Sequence, residues 1–536
     1  MALIQLALVL LLITTVGGAL ARWTPIGLPI FLVFVGAVAS LLPGLDALTL
    51  DPELFLLLFI PLLLFADARS LPRRDLLHVL KPVLLLAIGL VVLTVVAVGY
   101  FIHWLVPSIP LAVAFTLGAI VSPTDAVATV ATTSGLPLPH RVTHIVNAES
   151  LLNDATGLVA FKLAVAAAVA AGSVTGSDVL LNFVLLSGGG VAVGLVVEWI
   201  GRRLREALIA WGVDDPVLQA LLAVLIPYAA YLAAEALHVS GVLAVVMAGL
   251  FAGGREVQGL SAEGRRHARE VWRMLSWLFN GLVFVLLGLQ LRHMLAAVEH
   301  HPAWWLAVLA LGLWALLMVL RIGWVWISAH LRFRFLWGWA GPRSGPDPKR
   351  MLLVSWAAVR GSITLATALS VPLLTSAGEP FPQRELVVFL AAATIMLTLL
   401  LNGIPLPWLI RRLQAHSEAV DLPEENAARV EIARAGIAAL QPVCTGLTDG
   451  EERAFVEALI HRYDDKIALR EGGPGAAHKA LRIAQARRWR LAGIAAEREC
   501  LYRLHAASRI NDETLRLIEE ELDEREMLSA AEPMRG

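Results

Sequence analysis

Four polar side chains lie close together inside an otherwise apolar stretch, residues 145–172. Glu149 and Asn153 are four residues apart, as are Ser150 and Asp154, so a helix presents all of them within less than half of its circumference. The stretch is long enough to cross a bilayer, for which about 20 apolar residues suffice. A partly buried carboxylate there takes a proton, a cation or another partner. A buried polar cluster that only holds helices together is the alternative interpretation.

A second apolar stretch, residues 110–134, is interrupted by a proline. Pro123 removes a helical hydrogen bond and crowds the preceding turn, and Thr124 and Asp125 follow it directly. Transporters build cation sites at such breaks, whose freed backbone groups need protein or a wet cavity as partners. A plain proline kink is the alternative, but a kink requires no ionisable residue.

Gly157, on the arc of the four polar residues in 145–172, would let another segment pack closely.

A third stretch, residues 350–374, carries Arg360 at its centre and Gly361 next to it. An arginine at that depth must find carboxylates or carbonyl groups, and Glu149 and Asp125 are the candidates at matching depth. The glycine weakens the helix and predicts a second interruption. Paired broken helices in corresponding halves of a chain indicate a transporter built from inverted repeats.

Composition indicates the environment of these stretches. The chain of 536 residues is 58% hydrophobic and 16% charged, whereas a soluble domain is about 25% charged. The net charge of −1 gives no indication of a nucleic-acid partner.

The first apolar run is expected to span the membrane uncleaved, because no Lys or Arg precedes it. An all-α polytopic membrane protein is predicted, with about 13 transmembrane helices. They are expected at 2–20, 26–43, 52–67, 81–106, 110–134, 145–172, 178–200, 216–236, 239–254, 272–291, 303–330, 350–374 and 386–410.

Loop charge predicts the orientation of these spans. The loops after the third, seventh, ninth and eleventh spans carry clusters of arginine, whereas the alternate loops carry little positive charge. The N-terminus is therefore expected outside and the C-terminus in the cytoplasm. Two domains are predicted, a transmembrane domain at 1–413 and a helical cytosolic tail at 414–536. Residues 472–475 predict a loop or hinge, and Asn511 or Asp512 is expected to cap the last helix.

Three motifs in the membrane part resemble those of a known transporter family. They read GAIVSPTDAVA at 118–128, NAESLLNDATG at 147–157 and WAAVRGSITLA at 356–366. They are similar to motifs of the monovalent cation/proton antiporter family that includes the bacterial NhaP proteins and animal sodium/proton exchangers. The resemblance extends from residue 1 to about 413. It implies inverted repeats, two interrupted crossing helices, separate dimerisation and ion-translocating bundles, and a homodimer.

The resemblance also implies roles for individual residues. Asp154 corresponds to the aspartate that binds the cation or the proton, with Asn153 beside it, and members with this Asn-Asp pair are generally electroneutral. Three further positions match those at or next to the cation: Thr124, Asp125 and Ser150.

The same resemblance matches Glu149 and Arg360 to an acid and a base that pair near the site. Two positions depart from the family pattern. Ala126 replaces a frequent proline, which affects the expected shape of the unwound segment, and Asp67 stands where relatives often carry glutamate. A solvated helix end is the favoured role of Asp67, and the lining of an inner vestibule is the alternative. Arg321 and Glu235 are expected to be structural, and Lys162 to snorkel outward or to pair with an acid.

The expected function is exchange of Na⁺, or Li⁺, for H⁺ across a bacterial inner membrane, in support of pH homeostasis. The metal ligands would be oxygens of Asp154, Ser150 and Thr124, which suit a hard cation. K⁺/H⁺ exchange by the same mechanism remains open because the ligand types are identical. A cation channel and a membrane scaffold are less favoured, since neither a symmetric pore ring nor a signalling domain is recognised. No enzymatic activity, cofactor or nucleic-acid partner is expected, only lipid, the transported Na⁺ and H⁺, and a second copy of the chain.

Overall fold

The computed structural model describes most of the chain, with short gaps. The described residues are 2–24, 27–42, 52–71, 83–133, 140–169, 176–213, 215–253, 262–331, 347–413, 422–471, 476–507 and 509–530. The chain forms two compact units, Met1–Ser417 and Glu418–Gly536.

In the described part of the first unit, every regular element is a helix. The helices are α1 (Ala2–Ala21), α2 (Leu28–Ala39), α3 (Pro52–Ser70), α4 (Leu85–Leu105), α5 (Leu111–Val121), α6 (Ala126–Thr132), α7 (His140–Val169), α8 (Gly176–Ala210), α9 (Pro216–Ala236), α10 (Gly241–Gly253), α11 (Ala262–Ala297), α12 (Ala303–Leu331), α13 (Pro348–Trp356), α14 (Ser362–Leu369) and α15 (Arg384–Arg412). Each predicted apolar run lies on one of these helices or on a consecutive pair. Two of the helices contain π-helical turns, at Leu85–Leu90 and Thr398–Gly403.

Many of these helices have the length and composition of membrane spans. Seven of those in the described residues are long and apolar enough to cross a bilayer: α4, α7, α8, α9, α11, α12 and α15. The pair α5 and α6 passes the same criterion as one span bent by 50°. Shorter apolar helices are Leu8–Ala21 of α1, α2 and α10. The prediction of an all-α polytopic membrane protein is confirmed, whereas the number of spans stays a prediction.

Helix α7 lies where the two largest hydrophobic cores of this unit meet. One core is formed chiefly by α2, α3, α9, α10 and α11, and the other by α4, α5, α12 and α15. Leu151 and Leu158 of α7 belong to the first core, and Phe161 belongs to the second. The polar residues of α7 are consequently held at the centre of the unit, between the two groups of helices.

The second unit consists of helices in its described residues: α16 (Leu422–Gly446), α17 (Gly450–Glu471), α18 (Ala476–Ala506) and α19 (Asp512–Ala530). Helix α16 packs on α17, and α18 packs on α19. The α18–α19 pair encloses a small core of Ile494, Leu501 and Leu522.

Charged side chains join α18 and α19 at the surface. The Arg498 guanidinium donates to Asp523 at 2.7 Å and to Glu526, and the hydrogen bond to Asp523 raises the pKa of Arg498 above its ordinary value. Asn511 accepts from the backbone N–H of Thr514 at 2.8 Å, so Asn511 is the cap of the last helix, one of the two predicted candidates. The hinge predicted at 472–475 lies outside the described residues.

Candidate functional site

Two interrupted segments cross near the middle of the first unit, as the resemblance implied. The break between α5 and α6 is the stretch 122–125, and the break between α13 and α14 is the stretch 357–361. The backbone N–H of Asp125 donates to the carbonyl oxygen of Val359 at 2.7 Å, which joins the two breaks directly. Each break frees backbone groups that a continuous helix would have paired, so other groups must satisfy them.

Asp125 caps two helices at once. Its Oδ1 accepts from the backbone N–H of Ala128 at 2.9 Å, in the first turn of α6. Its Oδ2 accepts from the backbone N–H of Ser362 at 3.1 Å and from the Ser362 hydroxyl at 3.3 Å, at the start of α14. A carboxylate is favourable at a helix N-terminus, because the unpaired N–H groups carry partial positive charge. Both oxygens of Asp125 are thus engaged by the backbone of the crossing.

Arg360 binds the opposite, carbonyl-bearing ends of the broken helices. Its guanidinium donates to the carbonyl oxygens of Val121 and Ala358, each at 3.2 Å, and its backbone N–H donates to the Thr398 hydroxyl at 3.0 Å. Val121 is the last residue of α5, so the arginine is located where a helix C-terminus carries partial negative charge. The crossing therefore holds a carboxylate at its N-terminal ends and a guanidinium at a C-terminal end.

Glu149 pairs with Arg321 of α12, which corrects the predicted ion pair between Glu149 and Arg360. Both terminal nitrogens of Arg321 bind the Glu149 carboxylate, one of them to Oε2 at 3.0 Å, and Arg321 also donates to the carbonyl oxygen of Val354 at 3.0 and 3.3 Å. Glu149 is 0% exposed and Arg321 is 2% exposed. No local pattern in the sequence indicated this pairing, because 172 residues separate the two partners and only tertiary packing brings them together.

Two side chains of α7 form hydrogen bonds to residues of the break between α5 and α6. The Ser150 hydroxyl donates to the carbonyl oxygen of Thr124 at 2.6 Å and accepts from the backbone N–H of Ala126 at 3.1 Å. The Asn153 amide donates to the Thr124 hydroxyl at 2.9 Å, and its oxygen accepts from the Thr124 backbone N–H at 3.5 Å. These side chains supply hydrogen bonds that the unwound stretch lost, and they fix its conformation against α7.

Asp154 differs from its neighbours because its carboxylate is not engaged. The residue is 4% exposed, and the described part of the chain contains no hydrogen-bond or ion-pair partner for its side chain. The charged groups with which it interacts electrostatically are two other carboxylates, Asp125 and Asp67. Such a group can accept a proton or a cation without displacing an existing partner, and the surrounding negative charge favours either of them.

Close packing at Gly157 brings α7 against the break. A Cβ atom on Gly157 would lie 2.7 Å from Cγ of Pro123 and 3.2 Å from the Ser122 hydroxyl oxygen. Gly361 is even more restricted, since a Cβ there would overlap the carboxylate of Asp125. Both glycines therefore allow approaches that a side chain would block.

The structure brings all of the predicted site residues to this crossing: Asp154, Asn153, Ser150, Thr124, Asp125, Glu149 and Arg360. Asp67 is half-buried and interacts electrostatically with Asp125 and Asp154, so it is closer to the site than its position at the end of a span suggested. Lys162 pairs with Glu235 of α9, which selects one of its two expected roles.

The chain is similar to known cation/proton antiporters over nearly its whole length. Residues 8–412 match the family described as sodium/hydrogen exchanger, transmembrane. An uncharacterised Na⁺/H⁺ exchanger of Escherichia coli is 37% identical, with 96% of this chain and 97% of the relative covered. A sodium, potassium, lithium and rubidium/H⁺ antiporter of Bacillus pumilus is 35% identical, with 97% of this chain and 77% of the relative covered.

A solved structure shares the fold. The sodium proton antiporter MjNhaP1 of Methanocaldococcus jannaschii matches with a TM-score of 0.58 at 18% identity, covering 77% of this chain and 99% of that chain. The broken crossing helices, the family match and the relatives above 30% identity all agree. The chain belongs to the sodium/hydrogen exchanger family of multi-pass membrane antiporters.

Proposed function

We propose that this protein exchanges Na⁺, or Li⁺, for H⁺, and that Asp154 binds the proton and the cation in turn. The observation that carries the proposal is the unengaged, buried carboxylate of Asp154 beside a crossing whose other polar groups are already paired. One carboxylate that holds either a proton or a cation makes their binding competitive, and competition is the requirement for exchange. The same site supports K⁺/H⁺ exchange as a second candidate, because the Bacillus pumilus relative is named for potassium as well as sodium.

The neighbouring oxygens complete a site for a hard cation. Ser150 and Thr124 provide hydroxyl and carbonyl oxygens on the same side of α7 as Asp154, and such ligands suit Na⁺. Asp125 and Arg360 contribute by fixing the crossing, since both are engaged by backbone groups. Asn153 positions Thr124 and cannot itself titrate.

Alternating access would follow from movement of one group of helices against the other. Helix α7 contacts both hydrophobic cores, so a shift between the cores changes which side of the membrane reaches Asp154. Rocking of one helix bundle past another around a fixed midplane site is the general mechanism of transporters with broken helices. Chemistry on a covalent bond has no part in this cycle, and no cofactor is required.

The net charge of the site, compared between its proton-loaded and cation-loaded states, favours an electroneutral one-for-one exchange. Asp154 has the same net charge with one proton as with one monovalent cation. Glu149 is held by Arg321, and Asp125 by three hydrogen-bond donors, so neither is expected to change protonation during the cycle. A membrane potential, which acts with about 2.3 kcal/mol per uncompensated charge per 100 mV, would then neither drive nor oppose exchange.

The direct test is proton flux in vesicles that contain purified protein, on addition of Na⁺, Li⁺ or K⁺ in turn. Asp154→Asn should abolish cation-dependent proton flux, because an amide cannot hold a proton and a cation alternately. Asp215→Asn is the matched control, since Asp215 is an exposed cap of α9 and asparagine can also cap. Substantial flux through Asp154→Asn would overturn the assignment of Asp154.

Stoichiometry can be measured in K⁺-free vesicles with a dye that reports membrane potential. Electroneutral exchange should acidify or alkalinise the lumen without generating a potential. A potential that builds up with Na⁺-driven proton movement would show that more than one proton moves per cation. In that case a second acid takes part, and Asp67 and Asp125 are the nearest candidates.

The remaining assignments complete the proposal. The protein lies in a bacterial plasma membrane with its N-terminus outside and its tail, residues 414–536, in the cytoplasm. It works as a homodimer, and the tail modulates transport without carrying the ion. Native mass spectrometry of the purified protein measures the oligomeric state, and cysteine labelling from either side of the membrane measures the orientation.

A further inference from the structure

A basic cavity lies at the ends of three helices, and its lining contains none of the residues that form the helix crossing. It has a volume of about 410 Å³ and is bounded by the C-terminal ends of α3 and α10 and by the first turns of α11. Its polar lining consists chiefly of six residues: Arg69, Ser70, Arg265, Arg269, Trp272 and Arg273. Four guanidinium groups therefore surround one cavity, and none of the described residues that line it is acidic.

The arginines of α11 lie on one stripe of the helix. Arg265, Arg269 and Arg273 follow each other at intervals of four residues, a spacing that places like charges side by side and is unfavourable in an isolated helix. Arg269 and Arg273 are exposed, and no carboxylate in the described part of the chain pairs with either of them. An anion in the cavity would relieve the repulsion along the stripe.

Trp272 gives an independent indication of a missing partner. The residue is 5% exposed and lines the same cavity, yet its indole N–H has no hydrogen-bond acceptor among the described residues. A buried indole N–H usually finds an acceptor, because leaving it unpaired is costly. The Arg69 guanidinium lies 5.4 Å from the centre of the same ring, which holds the two groups together at the cavity wall.

We propose that this cavity, which we call the arginine cavity, binds a phosphate-bearing anion. Arginine matches phosphate because its planar guanidinium donates two parallel hydrogen bonds to two oxygens, and the Trp272 indole N–H adds a neutral donor. The Ser70 hydroxyl already donates to the carbonyl oxygen of Asp67 at 2.8 Å. Positively charged loops face the cytoplasm, so the cavity lies on the cytoplasmic side, where anionic phospholipids and soluble phosphates are both present. The site is separate from the cation site and is independent of which cation is exchanged.

The experiment measures thermal unfolding of the purified full-length protein by its tryptophan fluorescence during ligand titrations. The probes are short-chain phosphatidylglycerol, short-chain phosphatidylcholine, inorganic phosphate and pyrophosphate. A ligand that binds the folded protein raises the unfolding temperature, and the rise follows the logarithm of one plus the ratio of ligand concentration to dissociation constant. Stabilisation by phosphatidylglycerol alone identifies a lipid headgroup as the ligand, and stabilisation by phosphate or pyrophosphate identifies a soluble one.

Variants test whether the stabilising probe binds in the arginine cavity. Arg269→Gln should weaken binding of the active probe about tenfold, the loss expected for one hydrogen bond to a charged group. Arg269→Gln combined with Arg273→Gln should weaken it further. Arg266→Gln is the matched control, because Arg266 is on the same helix but is exposed, pairs with Glu270 and does not line the cavity. Trp272→Phe keeps an aromatic ring beside Arg69 but removes the N–H together with the five-membered part of the indole, so a smaller loss of binding is expected alongside some loss of stability.

The outcomes are distinct. Selective weakening by the cavity variants with an unchanged Arg266→Gln protein supports the proposal. Equal titrations of wild type, Arg269→Gln and Arg266→Gln would overturn it, and so would the absence of stabilisation by all anionic probes. Unfolding of each variant without ligand is measured in parallel, so a general loss of stability is separated from a loss of binding.

Discussion

Removing the guanidinium of Arg321 should destabilise the protein more than removing that of Arg360. Arg321 provides two hydrogen bonds to the buried carboxylate of Glu149 and two to the carbonyl oxygen of Val354, near the end of α13. Arg321→Ala leaves the Glu149 charge buried without a partner, a loss of about 3–5 kcal/mol. Arg360 contacts backbone carbonyl groups and not a carboxylate, so Arg360→Ala leaves no buried charge of opposite sign unpaired.

A set of related variants tests the physical origin of this loss. Arg321→Lys retains the charge but not the planar fork, and should recover only part of the stability. Glu149→Gln combined with Arg321→Gln should cost less than the sum of the single changes, because no charge remains buried. Arg203→Ala is the control, since it breaks an exposed ion pair at 3.4 Å and should cost no more than about 1 kcal/mol.

The assay is unfolding of the purified variants in detergent, followed by the fluorescence of the 16 tryptophans. The expected order of stability is wild type and Arg203→Ala first, then Arg321→Lys, then Arg321→Ala. If Arg321→Ala unfolds like wild type while Arg360→Ala is strongly destabilised, Arg360 and not Arg321 balances the buried acid. A double change whose loss equals the sum of the two single losses would show that the two charges are not coupled.

Two further predictions concern the crossing and the tail. Gly361→Ala should lower both stability and transport, because its Cβ would overlap the carboxylate of Asp125 and overpacking typically costs about 1–3 kcal/mol; Gly323→Ala on α12 meets nothing within 4 Å and is the control. Deleting residues 418–536, the second compact unit, should leave exchange measurable in vesicles, since all the predicted ion ligands lie in the first unit. A stable truncated protein without any exchange would contradict the proposed modulating role of the tail.

The sequence was informative about the site wherever a residue was unfavourable in its surroundings. Asp125 after Pro123 and Arg360 before Gly361 are out of place in apolar helices, so the two breaks and their polar residues could be predicted from the order of residues alone. Helical spacing then grouped Ser150, Asn153 and Asp154 on one arc. These inferences needed only local rules of helix geometry and the cost of burying charge.

The partners of the buried ionisable residues could not be predicted in the same way. Arg360 was the expected partner of Glu149, whereas the observed partner, Arg321, reaches Glu149 only through tertiary packing between distant parts of the chain. Arg321 is flanked by apolar residues without a proline, so its sequence context resembled that of an isolated structural residue. Asp67 was likewise placed at a solvated helix end, because its electrostatic interaction with Asp154 arises from tertiary packing.

The cost of breaking two helices supports the proposal that a single carboxylate, Asp154, is left for the ion. The freed N–H groups at the starts of α6 and α14 take both oxygens of Asp125, and the freed carbonyl of Val121 takes the guanidinium of Arg360. Ser150 and Asn153 are used to hold Thr124. Changing the protonation of any of these groups would unpair backbone in a buried region, which is costly. Asp154 forms no such hydrogen bond among the described residues. Of the groups at the crossing, it can therefore exchange a proton for a cation without unpairing the backbone.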